Sequence, residues 1–390
     1  MRSPPFRQNI FQHLSFVKSF HPQYCYAGHT RVTAISPSRE VSFQILEQVR
    51  KGGYASDLLR SETQHLSERD AALAETIVFG CLRRQSEIDF LIGHFSGKPT
   101  QKLDDAVRIA LRMGVFQLRY LDRVPAHAVV DDSVELVKRA RKRSATGFVN
   151  AVLRKVNRSP IPWPNSATEL SIPEWMLLRW QQRYGADAAA GIARAALDAP
   201  EVSVNPETGR MQDIGARTIV PLLGIEPGMR VLDVCAAPGN KTAQALAAGA
   251  KVVACDRYAK RLAEVPSQAQ RVCADATSPL PFSRKFDRGL FDRILVDAPC
   301  SGTGTLGRNP EIKWRLTEAD LAPFQERQRK ILENAMHCLA PAGKLVYATC
   351  SLEPEENENV VRGWHVEQTM LRLPGREPGD GFFAALITSS

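Results

Sequence analysis

The chain has 390 residues, 44% hydrophobic and 24% charged, which excludes collagen, a wholly disordered chain or a small disulfide scaffold and predicts two or three domains. No apolar run approaches the ~20 residues of a membrane span. The net charge of +9 is uneven: residues 1–38 hold four basic and no acidic residues, residues 39–160 carry a net +6, and residues 161–390 a net −1.

A basic excess in the first 160 residues fits a docked polyanion, and equally a solvated basic surface. Eight cysteines occur without a C-x-x-C pair, which argues against zinc knuckles and thioredoxin-like sites. No secretory signal is visible, so reduced thiols in a cytoplasmic compartment are expected, with no metal site.

Residues 1–38 contain Pro4, Pro5, Pro22 and Pro37 and show no period. They are acid-free with scattered Arg and Ser, as transit peptides are. An overextended start or a disordered basic extension is the simpler expectation. Residues 39–157 read as all-α. Ile88, Leu91, Ile92 and Phe95 share one helical face, as do Val107, Leu111, Val115 and Leu118. Ser67 with Asp70 resembles a helix start. Breaks at Gly52-Gly53, Gly97-Lys98-Pro99 and Pro125 imply five to seven short helices in a bundle. The run Lys138–Arg143 places five positive charges at a helix end, suited to phosphates or to a solvated helix terminus.

Residues 158–210 read as a linker and helical connector. The Pro-rich stretch 159–165 comes first, and helices with Trp175, Leu178 and Trp180 follow. In residues 211–390 short β-branched runs alternate with helical stretches: Arg230–Val234, Val252–Cys255, Arg271–Cys273, Arg293–Val296 and Lys344–Ala348. That alternation predicts a parallel α/β sheet with helices on both faces, binding ligands beyond the carboxyl ends of its strands.

Three segments carry chemistry. In Val231–Thr242 a strand runs into Cys235-Ala236-Ala237-Pro238-Gly239-Asn240-Lys241 and then a helix, so backbone N–H groups can meet a ligand closely. The spacing excludes a Walker A loop and G-x-G-x-x-G. Asp256 follows Gly239 by 17 residues at the next strand end, where an acid binds ribose hydroxyls. Asp275 and Asp297 end the third and fourth strands, so three acids face one crevice, though each alone is also a natural cap or turn former. The second segment, Asp297-Ala-Pro-Cys300-Ser-Gly-Thr-Gly304, is a rigid turn presenting a carboxylate and a thiol. The third, Tyr347-Ala-Thr-Cys350-Ser351, puts a second thiol on an adjacent loop. Cys235, Cys255, Cys273 and Cys338 read as small core residues.

These segments, with Glu353-Pro-Glu-Glu-Asn357, Asn309-Pro-Glu-Ile-Lys-Trp314 and Gly379-Asp-Gly-Phe-Phe383, resemble the two-cysteine RNA cytosine-5 methyltransferases of the Sun/RsmB branch. The resemblance spans residues 39–390. It implies an α/β Rossmann-like methyltransferase domain preceded by an all-α NusB-like RNA-binding domain. It implies S-adenosyl-L-methionine as cofactor, held by Cys235–Lys241, Asp256, Asp275 and Asp297. The substrate would be a cytosine of RNA, most plainly small-subunit ribosomal RNA or the assembling subunit, with no membrane partner. Cys350 would add to C6 of the base, Asp297 would bond its N3 and amino group, Cys300 would serve release, and Lys241 would favour the thiolate or orient the base. Two departures stand out. Asn240 replaces a second glycine, and its tolerance of positive φ lets the loop form. Val202–Pro206 is followed almost at once by Met211, where the family places tens of residues, and the segment from Asn359 to Gly379 is also short. The missing insert leaves a second reading open, a NusB-like RNA-binding protein with an impaired methyltransferase half. A DNA cytosine methyltransferase, which needs no Thr-Cys thiol, is a third.

Overall fold

Ser67 illustrates how local sequence sets a helix boundary. Its hydroxyl accepts the Asp70 amide at 3.1 Å and donates to the Asp70 carboxylate at 2.8 Å, closing the first turn. The computed structural model describes residues 35–282 and 290–388. The expectations for residues 1–34, Cys25 included, lie outside them.

The first region is helical: α1 (Pro37–Arg50), α2 (Ala55–Glu62), α3 (Glu68–Arg83), α4 (Gln85–Ser96), α5 (Asp105–Tyr120), α6 (Ala126–Arg139) and α7 (Thr146–Lys155). Gly97 ends α4 in the left-handed region and Pro125 precedes α6, where the sequence placed breaks. Ile45, Ile77, Ile88, Leu91 and Leu111 meet in its core, each fully buried. In the basic run, Lys138 pairs with Glu135, Arg139 with Glu40 and Lys142 with Asp104. Arg141 and Arg143, both exposed, have no ion-pair partner among the described residues.

The Pro-rich stretch is packed rather than loose: the Trp163 ring lies 5.7 Å from Phe90 on the helical core. Next come α8 (Ser166–Glu169), α9 (Glu174–Tyr184) and α10 (Ala186–Ala195). Trp180 is buried against Leu306 and Leu352 of the third region, whereas Leu178 faces outward. Arg179 fixes this packing through Glu318, Glu353 and Glu355.

The third region contains α11 (Ile214–Arg217), β1 (Arg230–Val234), α12 (Asn240–Ala247), β2 (Lys251–Asp256), α13 (Ala259–Leu262), β3 (Gln270–Cys273), β4 (Phe291–Asp297), α14 (Ile312–Arg315), α15 (Leu321–Met336), β5 (Leu339–Thr349), α16 (Glu358–Val361), β6 (Val366–Arg372) and β7 (Phe382–Thr388). The sheet order is β3-β2-β1-β4-β5-β7-β6. The five strands read from sequence form the parallel part of the sheet, and two further strands, which the sequence did not single out, extend it. β1 to β5 are parallel, but β7 runs antiparallel to β5 and β6 antiparallel to β7. β7 is almost continuously buried and lacks the alternation that marks a half-exposed strand. Apolar cores cover both sheet faces, one with Ile331 and Leu332 of α15, the other with Ala245 of α12 and Leu262 of α13. Strand order reverses between β1 and β4, which opens a crevice at their carboxyl ends.

Gly307–Arg315 fastens the third region to the helical one by serving helix ends. Glu311 accepts the Ala55 amide at the start of α2 at 3.0 Å. Arg315 donates to the carbonyls of Val49, Gly52 and Gly53 behind α1. Trp314 Nε1 donates to Leu82 O at 2.7 Å, and Lys313 Nζ to Arg83 O at 2.7 Å and Ser171 O at 2.8 Å. Helix-end groups without intrahelical partners are thus satisfied across the seam. Burial pushes the Lys313 ammonium down to about 7. Between about pH 7 and the ordinary lysine range near 10.4 the unfolded chain therefore holds a proton that the folded chain lacks, so stability rises with pH. In urea titrations from pH 7.5 to 9.5, stability of the wild type relative to Lys313→Met should rise by up to about 1.4 kcal/mol per pH unit. A pH-independent difference would contradict this.

Candidate active site

β1 ends at Val234, and Cys235 turns the chain with φ 64°. Gly239 has φ 95°, and a Cβ there would lie 2.8 Å from Val265 Cα and Pro266 Cδ, so only glycine fits. Positive φ thus falls on Gly239 rather than on Asn240, which opens α12 in helical conformation. The Asn240 side chain accepts from Arg210 Nε at 2.8 Å and donates to Met211 O at 3.0 Å. Ala236 is buried and its amide donates to Cys255 O at 2.8 Å, which pins the turn to β2.

The next residue of α12, Lys241, reaches across the crevice to Asp297 Oδ2 at 2.6 Å. Burial works against its charge, but the Asp297 carboxylate outweighs that and holds the ammonium above its ordinary range. Thr242 donates to Asp233, whose other oxygen is buried without a partner among the described residues. Burial pushes the Asp233 carboxyl up to about 7.

The three strand-end acids are both turn formers and cavity walls. Asp256 accepts the amides of Ala237 at 3.2 Å and Tyr258 at 2.9 Å. Asp275 accepts the Thr277 amide and hydroxyl, bonds that hold its carboxyl below the usual range. Asp256, Asp275 and Asp297 line one cavity of about 260 Å³, with Tyr258, Cys300 and Cys350. A second cavity, of about 300 Å³, is lined by Pro238, Lys241, Asp213, Arg308 and Asp380 among others. Cys235, Ala237 and Asp297 are walls common to both.

The two loop thiols meet: Cys300 Sγ lies 3.1 Å from Cys350 Sγ. The contact with Cys350, then burial, raises the Cys300 thiol well above its ordinary range. Gly304 lets the loops close, since its amide donates to Cys350 O at 2.8 Å and a Cβ would sit 2.4 Å from Gly381 O. Glu356 ties the same two loops from beneath. Its buried carboxylate accepts the Ser301 amide at 2.8 Å, the hydroxyls of Ser301 and Ser351, and Gln328 Nε2 at 3.0 Å. Each serine follows one of the thiols, so one carboxylate sets their separation.

Of the cysteines read as core residues, Cys255 and Cys338 are buried. Cys235 instead lines both cavities, and Cys273 is exposed because β3 is an edge strand. The sequence reading gave no role to Glu356, Asp213, Arg308 or Asp380. Arg308 donates to Asp380 at 2.6 Å and Asp213 at 2.9 Å on the wall of the second cavity. Asp380 and Glu356 lie in motifs visible in sequence and Arg308 directly precedes another, but no local pattern showed that Arg308 would pair with Asp213 and Asp380.

Replacing Glu356 by Gln turns an N–H₂ toward a ring of donors. Urea unfolding should show a loss of about 2–3 kcal/mol. Arg308→Met leaves two carboxylates facing each other. Burial and then Asp213 already raise the Asp380 carboxyl to about 6. The loss should therefore be about 2 kcal/mol at pH 8 and smaller at pH 5, where Asp380 takes up a proton. Equal losses at both pH values would contradict the pairing.

Comparison with known proteins places this geometry in context. A family model described as 16S rRNA methyltransferase RsmB/F matches residues 220–388, and a NusB family model matches residues 36–158. Ribosomal RNA small subunit methyltransferase B of Klebsiella pneumoniae (strain 342) is 30% identical over 420 residues, covering 90% of this chain and 97% of that protein. The protein of the same name from Pasteurella multocida (strain Pm70) is 32% identical over 432 residues, covering 91% and 96%. The solved structure of PH0851 superposes with a TM-score of 0.72 at 21% identity, covering 91% of this chain and 99% of that one, which supports the fold.

Proposed function

The chain belongs to the RsmB/F family of 16S rRNA methyltransferases, and we propose that it methylates C5 of a cytosine in that RNA through a transient bond between the Cys350 sulfur and C6 of the base. As a small-subunit ribosomal RNA methyltransferase it binds RNA and uses S-adenosylmethionine. The residues fit that cofactor. Asp256 and Asp275 offer carboxylates at two strand ends, where ribose hydroxyls and an adenine are held in this fold class. The Cys235–Lys241 turn offers close backbone approach, and the unpartnered Asp233 oxygen on the wall of the second cavity suits an ammonium group. When bound, the cofactor supplies the methyl group.

The thiol pair is the observation that carries this reading. Cytosine C5 is a poor nucleophile until a thiolate adds at C6 and makes it enamine-like. Contact with Cys350, then burial, raises the Cys300 thiol. Cys350 is assigned the attack because it is the thiol of the Thr349-Cys350 motif, and Cys300 Sγ lies 3.1 Å from it. Lys241, two walls away in the same crevice, adds positive charge and holds Asp297 in place. Asp297 has a second oxygen for the base, where it accepts from the exocyclic amino group and steers electrons into the ring. Cys300 lies on the loop nearest the adduct and serves the steps that remove H5 and free the enzyme. The base must leave its stack to reach this crevice.

Incubated with small-subunit ribosomal RNA and labelled S-adenosylmethionine, Cys350→Ala should show no methyl transfer. Cys300→Ala should instead accumulate a protein–RNA adduct stable on denaturing gels. Full activity in Cys350→Ala would refute the assignment of the nucleophile.

A further inference from the structure

The segment joining the connector to the catalytic region is a tight hairpin whose polarity is turned inside out. Asn205 N donates to Arg210 O at 2.8 Å and Gln212 N to Ser203 O at 2.9 Å, so Val204 and Met211 form a narrow antiparallel pair with side chains close together. Side chains alternate along such strands. The inward set is polar. Asn205 donates to Gln212 at 2.8 Å, Gln212 donates to Gln244 of α12 at 2.7 Å, and Arg210 turns its guanidinium onto Asn240 and Pro238 of the cofactor turn. The outward set is apolar: Val202 is 70% exposed, Val204 54% and Met211 59%.

A hairpin on a protein surface normally buries its apolar face and wets its polar one. Here the reverse is held in place by a chain of side-chain hydrogen bonds to the site itself. Three of the seven large exposed hydrophobic residues among those described fall in this one ten-residue stretch. Ser203 and Met211 also line the second cavity, beside Lys241 and Asp297, and Asp297 is a wall common to the cavity of the two thiols, so the apolar face borders the crevice in which a target base would react.

We propose that the Val202–Val204–Met211 face is a packing platform for an unstacked base of the RNA strand next to the target cytosine. This deepens the reading above and rests on it. The chemistry of the face selects bases over phosphates. Glu201 and Glu207 are its exposed charges, and the one basic side chain of the stretch, Arg210, is turned away. Aliphatic and methionine side chains pack against the faces of bases and hold them out of the stack. A flipped nucleotide leaves its neighbour with one uncovered face, and a platform at the cavity mouth covers it.

The test uses the full chain with Val202→Ser, Val204→Ser and Met211→Gln combined, and a fluorescent transcript of small-subunit ribosomal RNA. These side chains are exposed, so the thermal midpoint should not fall. RNA affinity should drop about tenfold, within the range for loss of one stacked base, and the slope of affinity against salt should stay the same because no phosphate contact is lost. Met211→Phe alone should bind at least as tightly as the wild type. Unchanged RNA affinity in the triple variant overturns the proposal. So does a changed salt slope, which would mean phosphate contacts. A wild-type dimer in sedimentation that the triple variant abolishes, with RNA affinity intact, would overturn it in favour of a second copy of the chain. Affinity is read without turnover, so absence of methyl transfer by the wild type would count against the proposed chemistry and leave this measurement to be judged separately.

Discussion

The separation of two sulfur atoms depends on a carboxylate that touches neither. Glu356 lies under the sheet rim and receives hydrogen bonds from Ser301 and Ser351, the residues after Cys300 and Cys350. Burial raises its carboxyl, and the serine bonds act against that rise. An acceptor-only group surrounded by donors holds both loops in one arrangement, because any other arrangement would strand a buried donor. Tyr347 and Asn357 extend the same brace. The tyrosine hydroxyl donates to Glu356 O at 2.6 Å, and the Asn357 amide donates to Ser351 O at 2.9 Å. The acidic motif after the second thiol is therefore scaffolding for the first.

From Cys300 to Arg315 a short length of chain links the thiol loop, the wall of the second cavity and the helical region. Arg308 stands between Asp213 and Asp380 on that wall, and Arg83 Nε donates to Gly307 O at 2.9 Å one residue earlier. Five residues on, Lys313 and Trp314 close the end of α3. The helical region is thus joined to the site by helix-end hydrogen bonds, which are directional and fixed in register, beside the apolar contact of Trp314 with the helical core.

Much of this was legible in sequence because it rests on local rules. Helix breaks at glycine and proline, the serine cap at Ser67, and β1 to β4 each follow from a few neighbouring residues. β6 and β7 were not legible. β7 is buried on both sides, so Phe382–Thr388 lacks a period, and its direction is set by pairing with β5 far along the chain. The same distinction holds in the site. Cys300, Cys350 and Asp297 stand out by residue type and strand-end position, and Lys241 through the family resemblance of the turn it closes. Glu356 and Arg308 matter through partners 55 and 95 residues away, which no local pattern records. Cys273 was misread for the converse reason. Its sequence is that of a core strand, and exposure follows from β3 being at the sheet edge.

Charge and apolar surface are divided between the regions in a way that matches the two things an RNA offers. The net +6 of residues 39–160 suits phosphates, which attract over a distance and carry no base identity. The catalytic region is nearly neutral, and its carboxylates crowd the crevice at Asp233, Asp256, Asp275 and Asp297. The same walls carry Lys241, Arg257, Arg261, Arg308 and Arg327, so the crevice offers no large excess of either charge, whereas the helical region offers an excess of positive charge. At the edge of that crevice lies the apolar outer face of the 202–211 hairpin, flanked by the exposed Glu201 and Glu207, the face proposed above to receive a base.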